Sequence, residues 1–461
     1  DEPVSEITIV VSGEAQPSGE GFVVLDPGGE VRMPDRVTSG DNLSWSLHFD
    51  EPIEGGTAGV RWTVAAPDAH PIEGSFRFTV PAASSDEQLE LPTEPLPTEP
   101  LPAESLPAGP SSSLGEFLDA GASRAPMLDL VGMAARGFSL LGAMLAIGGI
   151  VFAAVVMRGS ERDIRSVLFW VRRASVVLAL GAFGELLHQL ASVNGNWLTI
   201  WPMSSFSTVL WSSLGLAIVM RLVGAGMMLR AHLDVVGAQA GPDPVLALHG
   251  AVPVGAGPRV SAGATGPSGV YVRADDKAWR VDGDLTLVFA GVAVTVAGFA
   301  FDGHTVTEGM RVLTSLVAMA HAAAAAVWAG GVVMLAHVVW RRHQQGRDSH
   351  AVQLAIRFSV VAAIALVVAG GAGTLLAVTI LDRFSDLWTT TWGRVLVAKL
   401  FLVGVAAVLG AYNHKVLIPR MMRRSPAAPH TDAEFRRSVL IEGVAIGFVV
   451  LLTALLVASA S

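Results

Sequence analysis

Two histidines and a methionine lie within or just before a single apolar stretch of the sequence. His304 precedes this stretch and His321 lies inside it, where an ionisable side chain is costly unless it faces protein or a polar path. At roughly 100° per residue, Met310, Thr314, His321 and Trp328 share one helical face. Thioether and imidazole groups are ligands that copper accepts. The pattern indicates a soft-metal path, and a hydrogen-bonded histidine between packed helices would produce the same pattern.

A glutamate and a histidine near the end of another apolar segment form a second candidate pair. Glu185 and His188 are three residues apart and therefore share a helical face. A carboxylate beside an imidazole can orient a metal ligand or accept its proton, and a glutamate that only holds an interfacial histidine would look the same. If His188, His304 and His321 all lie toward the outer side of a membrane, they could share one site, with Met310 as a further ligand.

A third candidate lies in the hairpin-like segment 59–80, GVRWTVAAPDAHPIEGSFRFTV. Asp68 and His70 are two residues apart, so both side chains would project from one face of an extended strand. A carboxylate oxygen with an imidazole nitrogen suits Cu(II). The alternative is a surface turn in which Asp68 caps backbone amides and His70 is solvated.

The composition indicates that most of the chain lies in membrane helices. Of 461 residues, 51% are hydrophobic and only 15% are charged, which indicates a multi-pass membrane protein. The sequence predicts eight spans, each of roughly 20 apolar residues or more. They lie near 128–157, 168–193, 205–229, 284–302, 311–340, 354–381, 393–417 and 437–459.

The distribution of arginine and lysine orients the predicted bundle. Positive residues follow the first, fifth and seventh spans, whereas the alternate loops carry few. Because cytoplasmic loops are enriched in positive residues, both chain ends are predicted to lie outside. We therefore expect the protein in the cytoplasmic (inner) membrane, with its N-terminal domain and C-terminus extracytoplasmic.

Three segments depart from the membrane pattern. Residues 1–80 contain short alternating runs separated by Gly, Pro and Asp, which predict a small all-β sandwich outside the membrane. Residues 81–126 are proline-rich and predict a semi-extended linker, followed by the transmembrane domain at 127–461. Residues 237–283 are rich in Gly, Ala and Pro and predict a flexible cytoplasmic loop.

Several classes of partner and chemistry are excluded at this point. A net charge of −9 with no basic stripe excludes nucleic acid as a partner. The absence of cysteine leaves Met, His, Asp and Glu as the available metal ligands. The sequence has no Walker A loop or phosphorylated-Asp cassette, so any transport would be passive or gradient-coupled, and no enzyme activity is expected.

The N-terminal segment resembles the closing hairpin of the CopC copper-binding family, whose pattern runs Y-x-V-x-W, S-x-D-G-H-P and G-x-F-x-F-x-V. The chain begins at what resembles that family's second strand, so the first strand is expected to be missing. The resemblance implies Cu(II) at Asp68 and His70. The matching positions are Trp62, Asp68, His70, Pro71, Gly74, Phe76, Phe78 and Val80.

The membrane part resembles CopD, an inner-membrane copper protein often encoded beside or fused to CopC. The most specific matches are the G-H, H and W-x-G-G elements at Gly303, His304, His321 and 327–331. Further matches in order are RFS at 357–359, AGGAGT at 369–374, TTTWGRVLVAKL at 389–400 and AYNHKVLIP at 411–419. The resemblance implies copper import, with Cu(I) or Cu(II) in the membrane domain and a periplasmic or extracellular copper chaperone as a partner besides the lipid bilayer.

Two other functions fit the same residues. A b-type haem or quinone redox protein could use paired histidines such as His188 and His321 as axial ligands. A protein that binds or senses external copper without passing it on would need the same outer ligands. The metal candidates from the sequence are thus Asp68, His70, Glu185, His188, His304, Met310 and His321.

Overall fold

The computed structural model describes two compact units. The first comprises Asp1–Leu130 with Leu187–Ser212, and the second comprises Val131–Leu186 with Ser213–Ser461. The described residues are 3–11, 13–66, 71–81, 114–118, 126–157, 160–194, 203–238, 278–301, 311–346, 351–381, 383–422 and 428–458.

The N-terminal residues form two antiparallel sheets. One sheet has the order β1-β5-β4, and the other has the order β3-β2-β6-β7. The strands are β1 Val4–Val10, β2 Gln16–Leu25, β3 Val31–Arg32, β4 Arg36–Thr38, β5 Ser44–Ile53, β6 Gly56–Ala65 and β7 Pro71–Val80. A β-sheet domain at the N-terminus is therefore confirmed.

Alternation along the strands builds the core between the sheets. Trp45, Leu47 and Phe49 of β5 are buried, whereas His48 between them lies on the opposite face. The His48 ring contacts the Thr38 hydroxyl at 3.2 Å. The alternating pattern read from the sequence thus corresponds to the side chains that are removed from water.

A glycine explains how the hairpin of β6 and β7 accommodates a tryptophan. Trp62 lies directly opposite Gly74 in the strand register. A Cβ atom at Gly74 would lie 2.3 Å from Cζ2 of the indole, far inside contact distance. The indole can lie across β7 only because position 74 has no side chain, which gives a physical reason for both residues in the motif.

The proline-rich segment contains a structured piece that the sequence analysis missed. Residues 114–118 are helical, and Phe117 packs with Val23 and Leu25 of β2. Arg61 of β6 donates to the Phe117 carbonyl at 3.2 Å, and its guanidinium lies 4.6 Å from the Phe117 ring centroid. These contacts hold 114–118 on the sandwich, so the linker is not extended throughout.

Helices make up most of the rest of the described chain. They are α1 Pro126–Val151, α2 Glu161–Asn194, α3 Met203–Trp211, α4 Ser213–Arg230, α5 Leu285–Gly298, α6 Arg311–Gln344, α7 Ala351–Ile380, α8 Asp386–Thr389, α9 Thr391–Tyr412, α10 Ile418–Met422 and α11 Ala428–Ala458. Phe152–Val156 extends α1 as a π-helical turn, and Asn413–Leu417 does the same for α9. Phe299–Phe301 extends α5 as a 3₁₀ turn.

Six of these segments, within the described residues, are long and apolar enough to cross a membrane. They are Leu130–Val156, Glu161–Asn194, Ser213–Arg230, Val312–Gln344, Val352–Thr379 and Thr391–Met422. The other two predicted spans coincide with the shorter apolar segment Leu285–Phe301 and with α11. Several membrane-capable helices are therefore present, as the sequence predicts.

Two boundaries differ from the prediction for local reasons. The predicted segment 205–229 is divided at Ser212, whose hydroxyl donates to the Val209 carbonyl and so competes with the helical backbone bond. The predicted loop 237–283 has paired ends, because β8 Leu233–Ala238 and β9 Ala278–Gly283 form an antiparallel hairpin. The segment between them, 239–277, lies outside the described residues.

The glycines of VWAGG allow α6 to contact two neighbouring helices closely. A Cβ atom at Gly330 would lie 2.2 Å from the Met144 carbonyl oxygen of α1, and one at Gly331 would lie 2.3 Å from Cε2 of Phe358 in α7. Helix backbones approach this closely only where side chains are absent. These contacts fix α6, which carries His321, in the second unit.

Candidate metal site

His321 is the predicted ligand that the structure describes most fully. It lies in α6, and its Nδ1 is 2.8 Å from the backbone carbonyl oxygen of Ala369 in α7. Gly373, one turn further along α7, leaves room for the ring, because a Cβ atom there would lie 2.9 Å from Cε1 and 3.0 Å from Nδ1. The imidazole therefore contacts the Ala369 carbonyl and occupies space that a side chain at position 373 would fill.

This contact determines which ring nitrogen can bind a metal. A carbonyl oxygen only accepts hydrogen bonds, so Nδ1 must carry the proton and donate it. In the neutral ring the lone pair is then on Nε2, which accepts no hydrogen bond from any described residue. Metal-binding histidines commonly have this arrangement, with one nitrogen on the metal and the other donating to a carbonyl.

The AGGAGT glycines of α7 differ in what surrounds them. Nothing lies within 4 Å of a Cβ atom placed at Gly370 or Gly371, so these two residues do not allow close helix packing. Gly373 does make a close contact, and its partner is the His321 ring rather than a helix backbone. One position of this motif therefore supports the candidate ligand directly.

A lysine of α9 lies near this histidine. Lys399 is close enough to His321 for its charge to act on the ring, and it forms no ion pair with the described residues. The sequence analysis gave no reason to place Lys399 beside His321. In its charged form this lysine would repel a cation bound there.

Glu185 forms a buried ion pair with an arginine that sequence reasoning overlooked. Its Oε2 is 2.8 Å from Nη1 of Arg221 in α4, and the side chains are 6% and 1% exposed. The Arg221 guanidinium also lies 4.9 Å from the Phe299 ring centroid. An arginine inside a predicted span was the available signal, since such a charge requires a partner. Whether Glu185 also assists a metal stays a prediction.

The remaining candidates are located as follows. His188 is half-buried on α2 and belongs to the first compact unit. Asp68 and His70 lie between β6 and β7, in 67–70, and are outside the described residues, as are His304 and Met310 in 302–310. Across the described ranges, no three His, Asp or Glu side chains gather into a group that could hold a metal ion.

The comparisons with known proteins agree with the motifs. Residues 1–81 match the family model described as CopC domain, and residues 352–456 match the model described as Copper resistance protein D. The copper transport protein CutJ of Bacillus subtilis (strain 168) is 29% identical over 155 residues, which are 34% of this chain and 27% of that protein. The inner membrane protein YebZ of Escherichia coli (strain K12) is 36% identical over 112 residues, which are 24% of this chain and 37% of that protein.

Each alignment thus covers less than two fifths of the relative's length. No solved structure matches the chain significantly.

Together, the fold and the family matches define a copper-related membrane protein with a β-sheet domain followed by membrane-capable helices. Residues 1–81 thus match a CopC domain and residues 352–456 a CopD region, an arrangement consistent with a CopC–CopD fusion. The resemblance read from the motifs is thereby confirmed.

Proposed function

We propose that this protein captures copper outside the cytoplasmic membrane and imports it, acting as a transporter and not as an enzyme. The observation that carries the proposal is the fixed His321 ring, whose Nε2 is left for a metal while Nδ1 donates to Ala369. Copper is proposed as the transported ion because the matched CopD family and the relative CutJ are both named for copper. The inner membrane is the location named for the relative YebZ.

In this proposal the chain crosses the membrane eight times within 127–461, with Leu285–Phe301 and α11 as the two spans beyond the six long apolar segments. Residues 1–80 form the extracytoplasmic sandwich, 81–126 the linker, and 237–283 a cytoplasmic loop. Both chain ends lie outside, because the positively charged loops are cytoplasmic.

Copper would move along ligands of increasing depth. Asp68 and His70 hold Cu(II) on the sandwich, and a periplasmic or extracellular chaperone is a second source. His304, Met310 and His321 then receive Cu(I) or Cu(II) in the membrane domain, with Glu185 and His188 assisting. Exchange among imidazole and thioether ligands reduces the cost of dehydrating the ion at each step.

Copper accumulation in cells tests this proposal. His321→Ala should lower accumulation by about tenfold or more, the range expected when a metal site loses a supporting group. His343→Ala, near the end of the same helix and exposed, is the matched control and should leave accumulation unchanged. Equal uptake by the His321 variant and the parent chain would contradict import through this residue.

A further inference from the structure

Buried carboxyl groups of the second unit differ in how their charge is compensated. Asp163 accepts from Nε of Arg342 at 2.9 Å, and Glu185 accepts from Nη1 of Arg221 at 2.8 Å. Glu442 of α11 is also buried, at 6% exposure, but it accepts only from the amide of Asn413, at 3.3 Å. Of these three acids, Glu442 alone has no cation among its described partners.

The elements packed against α11 explain this difference. Gly410 of α9 lies over the carboxyl, since a Cβ atom there would be 3.3 Å from Oε1, and Ala336 of α6 faces the adjacent Gly443. No charged or titratable side chain of the described residues bonds to Glu442 from α6, α9, the 413–417 turn, α10 or α11 itself. Those side chains are His321, His337, Arg341, Arg342 and His343 on α6, Arg394, Lys399 and Tyr412 on α9, His414, Lys415 and Arg420 after it, and His430, Glu434, Arg436 and Arg437 on α11.

Several of these groups are already engaged elsewhere. His337 contacts the Ser166 hydroxyl at 2.8 Å, His414 contacts the Ser359 hydroxyl at 3.1 Å, and Glu434 accepts from the Tyr412 hydroxyl. His337 and His414 are therefore engaged with other partners, and Glu434 is itself an acid. A carboxylate removed from water with no cation among the described residues would be very costly, which favours the protonated form in this packing.

The backbone beside Glu442 is irregular, as expected for a segment that changes conformation. Asn413 begins the π-helical turn at the end of α9, and such turns interrupt the regular backbone ladder and often occur at functional sites. Among the described residues, the donor to Glu442 thus lies on the π-helical turn of the neighbouring helix. A change in the protonation of Glu442 would act directly on this contact.

We propose that Glu442 is a proton-binding site that couples copper movement to a proton gradient. The inference rests on the proposed import function and names its coupling ion. The carboxylate takes up one proton from water when α9 and α11 separate, and it returns that proton to water at the other side of the membrane. In the closed packing the neutral acid is favoured, whereas the ionised form favours an arrangement in which water reaches it.

The proton site can be tested without copper. Dicyclohexylcarbodiimide reacts with protonated carboxyl groups in apolar surroundings, so membranes containing the full chain should show label on Glu442 by peptide mass spectrometry. The label should fall as the pH of the medium rises, and ion-paired Glu185 is the internal control that should stay nearly unlabelled. A label on Glu442 that is no greater than on Glu185, or that does not change with pH, would overturn the proposal.

Coupling requires a second experiment in proteoliposomes. Uptake of copper by the parent chain should change several-fold when a pH gradient is imposed. Glu442→Gln keeps an oxygen for Asn413 and should transport equally with and without the gradient, while Glu434→Gln, an exposed position on the same helix, should behave like the parent. A Glu442→Gln protein that still responds to the gradient would contradict coupling through this residue.

Different results would contradict copper import and the proton site at Glu442. If the parent chain moves no copper under any gradient, import itself is wrong and coupling falls with it, while pH-dependent label on Glu442 would still identify a proton site. If copper moves but Glu442 takes no label, import stands and the proton site does not.

Discussion

The orientation of the His321 imidazole depends on two positions of α7. The Ala369 carbonyl fixes the proton on Nδ1, and Gly373 leaves the space that the ring occupies. Neither contact could be predicted from the sequence, because a backbone carbonyl carries no residue-type signal and the register between α6 and α7 is set by packing. The sequence could indicate His321 as a candidate ligand, but it could not predict the contacts that leave Nε2 for a metal.

A glycine substitution tests whether this arrangement matters. Gly373→Ala places a methyl group 2.9 Å from Cε1 of His321, so the ring must shift and its bond to Ala369 weakens. We expect copper affinity of the purified protein to fall by about tenfold, as for lost supporting contacts in metal sites. Isothermal titration with copper measures this effect.

Gly371→Ala is the matched control on the same helix, because a methyl group there meets open space. Unchanged affinity in both variants would show that His321 does not need this orientation to bind copper, or does not bind it.

At the scale of elements, the sequence predicts the helices well and their contacts poorly. Long apolar runs determine α1 with its π-helical turn, α6 and α7 within a few residues, because burying a span in lipid allows few alternatives, whereas α2 begins at Glu161, seven residues before the predicted 168. The segment at 114–118 was missed, since five residues inside a proline-rich run give almost no periodic signal. The bond between Arg221 and Glu185 was missed because Glu185 was considered only as a partner of His188, and the span that contains Arg221 was read only for hydropathy.

That ion pair joins α2 to α4 and should be important for stability. Arg221→Ala leaves a buried carboxylate without its cation, which costs about 3–5 kcal/mol. Thermal unfolding of the purified protein should therefore shift to lower temperature. The double variant Glu185→Gln with Arg221→Gln should recover much of the loss, because no lone charge remains.

The exposed pair of Glu161 and Arg165 on α2 supplies the comparison. Its atoms are 2.7 Å apart, similar to the buried pair, yet Arg165→Ala should cost only about 0.5 kcal/mol, since water screens the charges. Similar losses for Arg221→Ala and Arg165→Ala would mean that burial does not strengthen the α2–α4 pair.

At the scale of the whole molecule, the distribution of positive charge predicts which loops lie on which side of the membrane. Because the chain has no cysteine, single introduced cysteines report their location without background. Ser111→Cys, in the linker, should react with a membrane-impermeant maleimide added to intact cells. Ser261→Cys, in the predicted cytoplasmic loop, should react only after the cells are opened, because the positively charged loops stay inside. The reverse pattern would invert the proposed topology and the direction of import.

The β8–β9 hairpin has a further consequence for how this family can vary. Because Ala238 and Ala278 are already paired, the ends of the intervening segment are held together by their own backbone bonds. Loop closure depends weakly on length, about 0.6 kcal/mol for each doubling. Changes in the length or sequence of 239–277 should therefore destabilise α4 and α5 very little. A fluorescent protein inserted at this point would be joined to the chain through the paired strands β8 and β9.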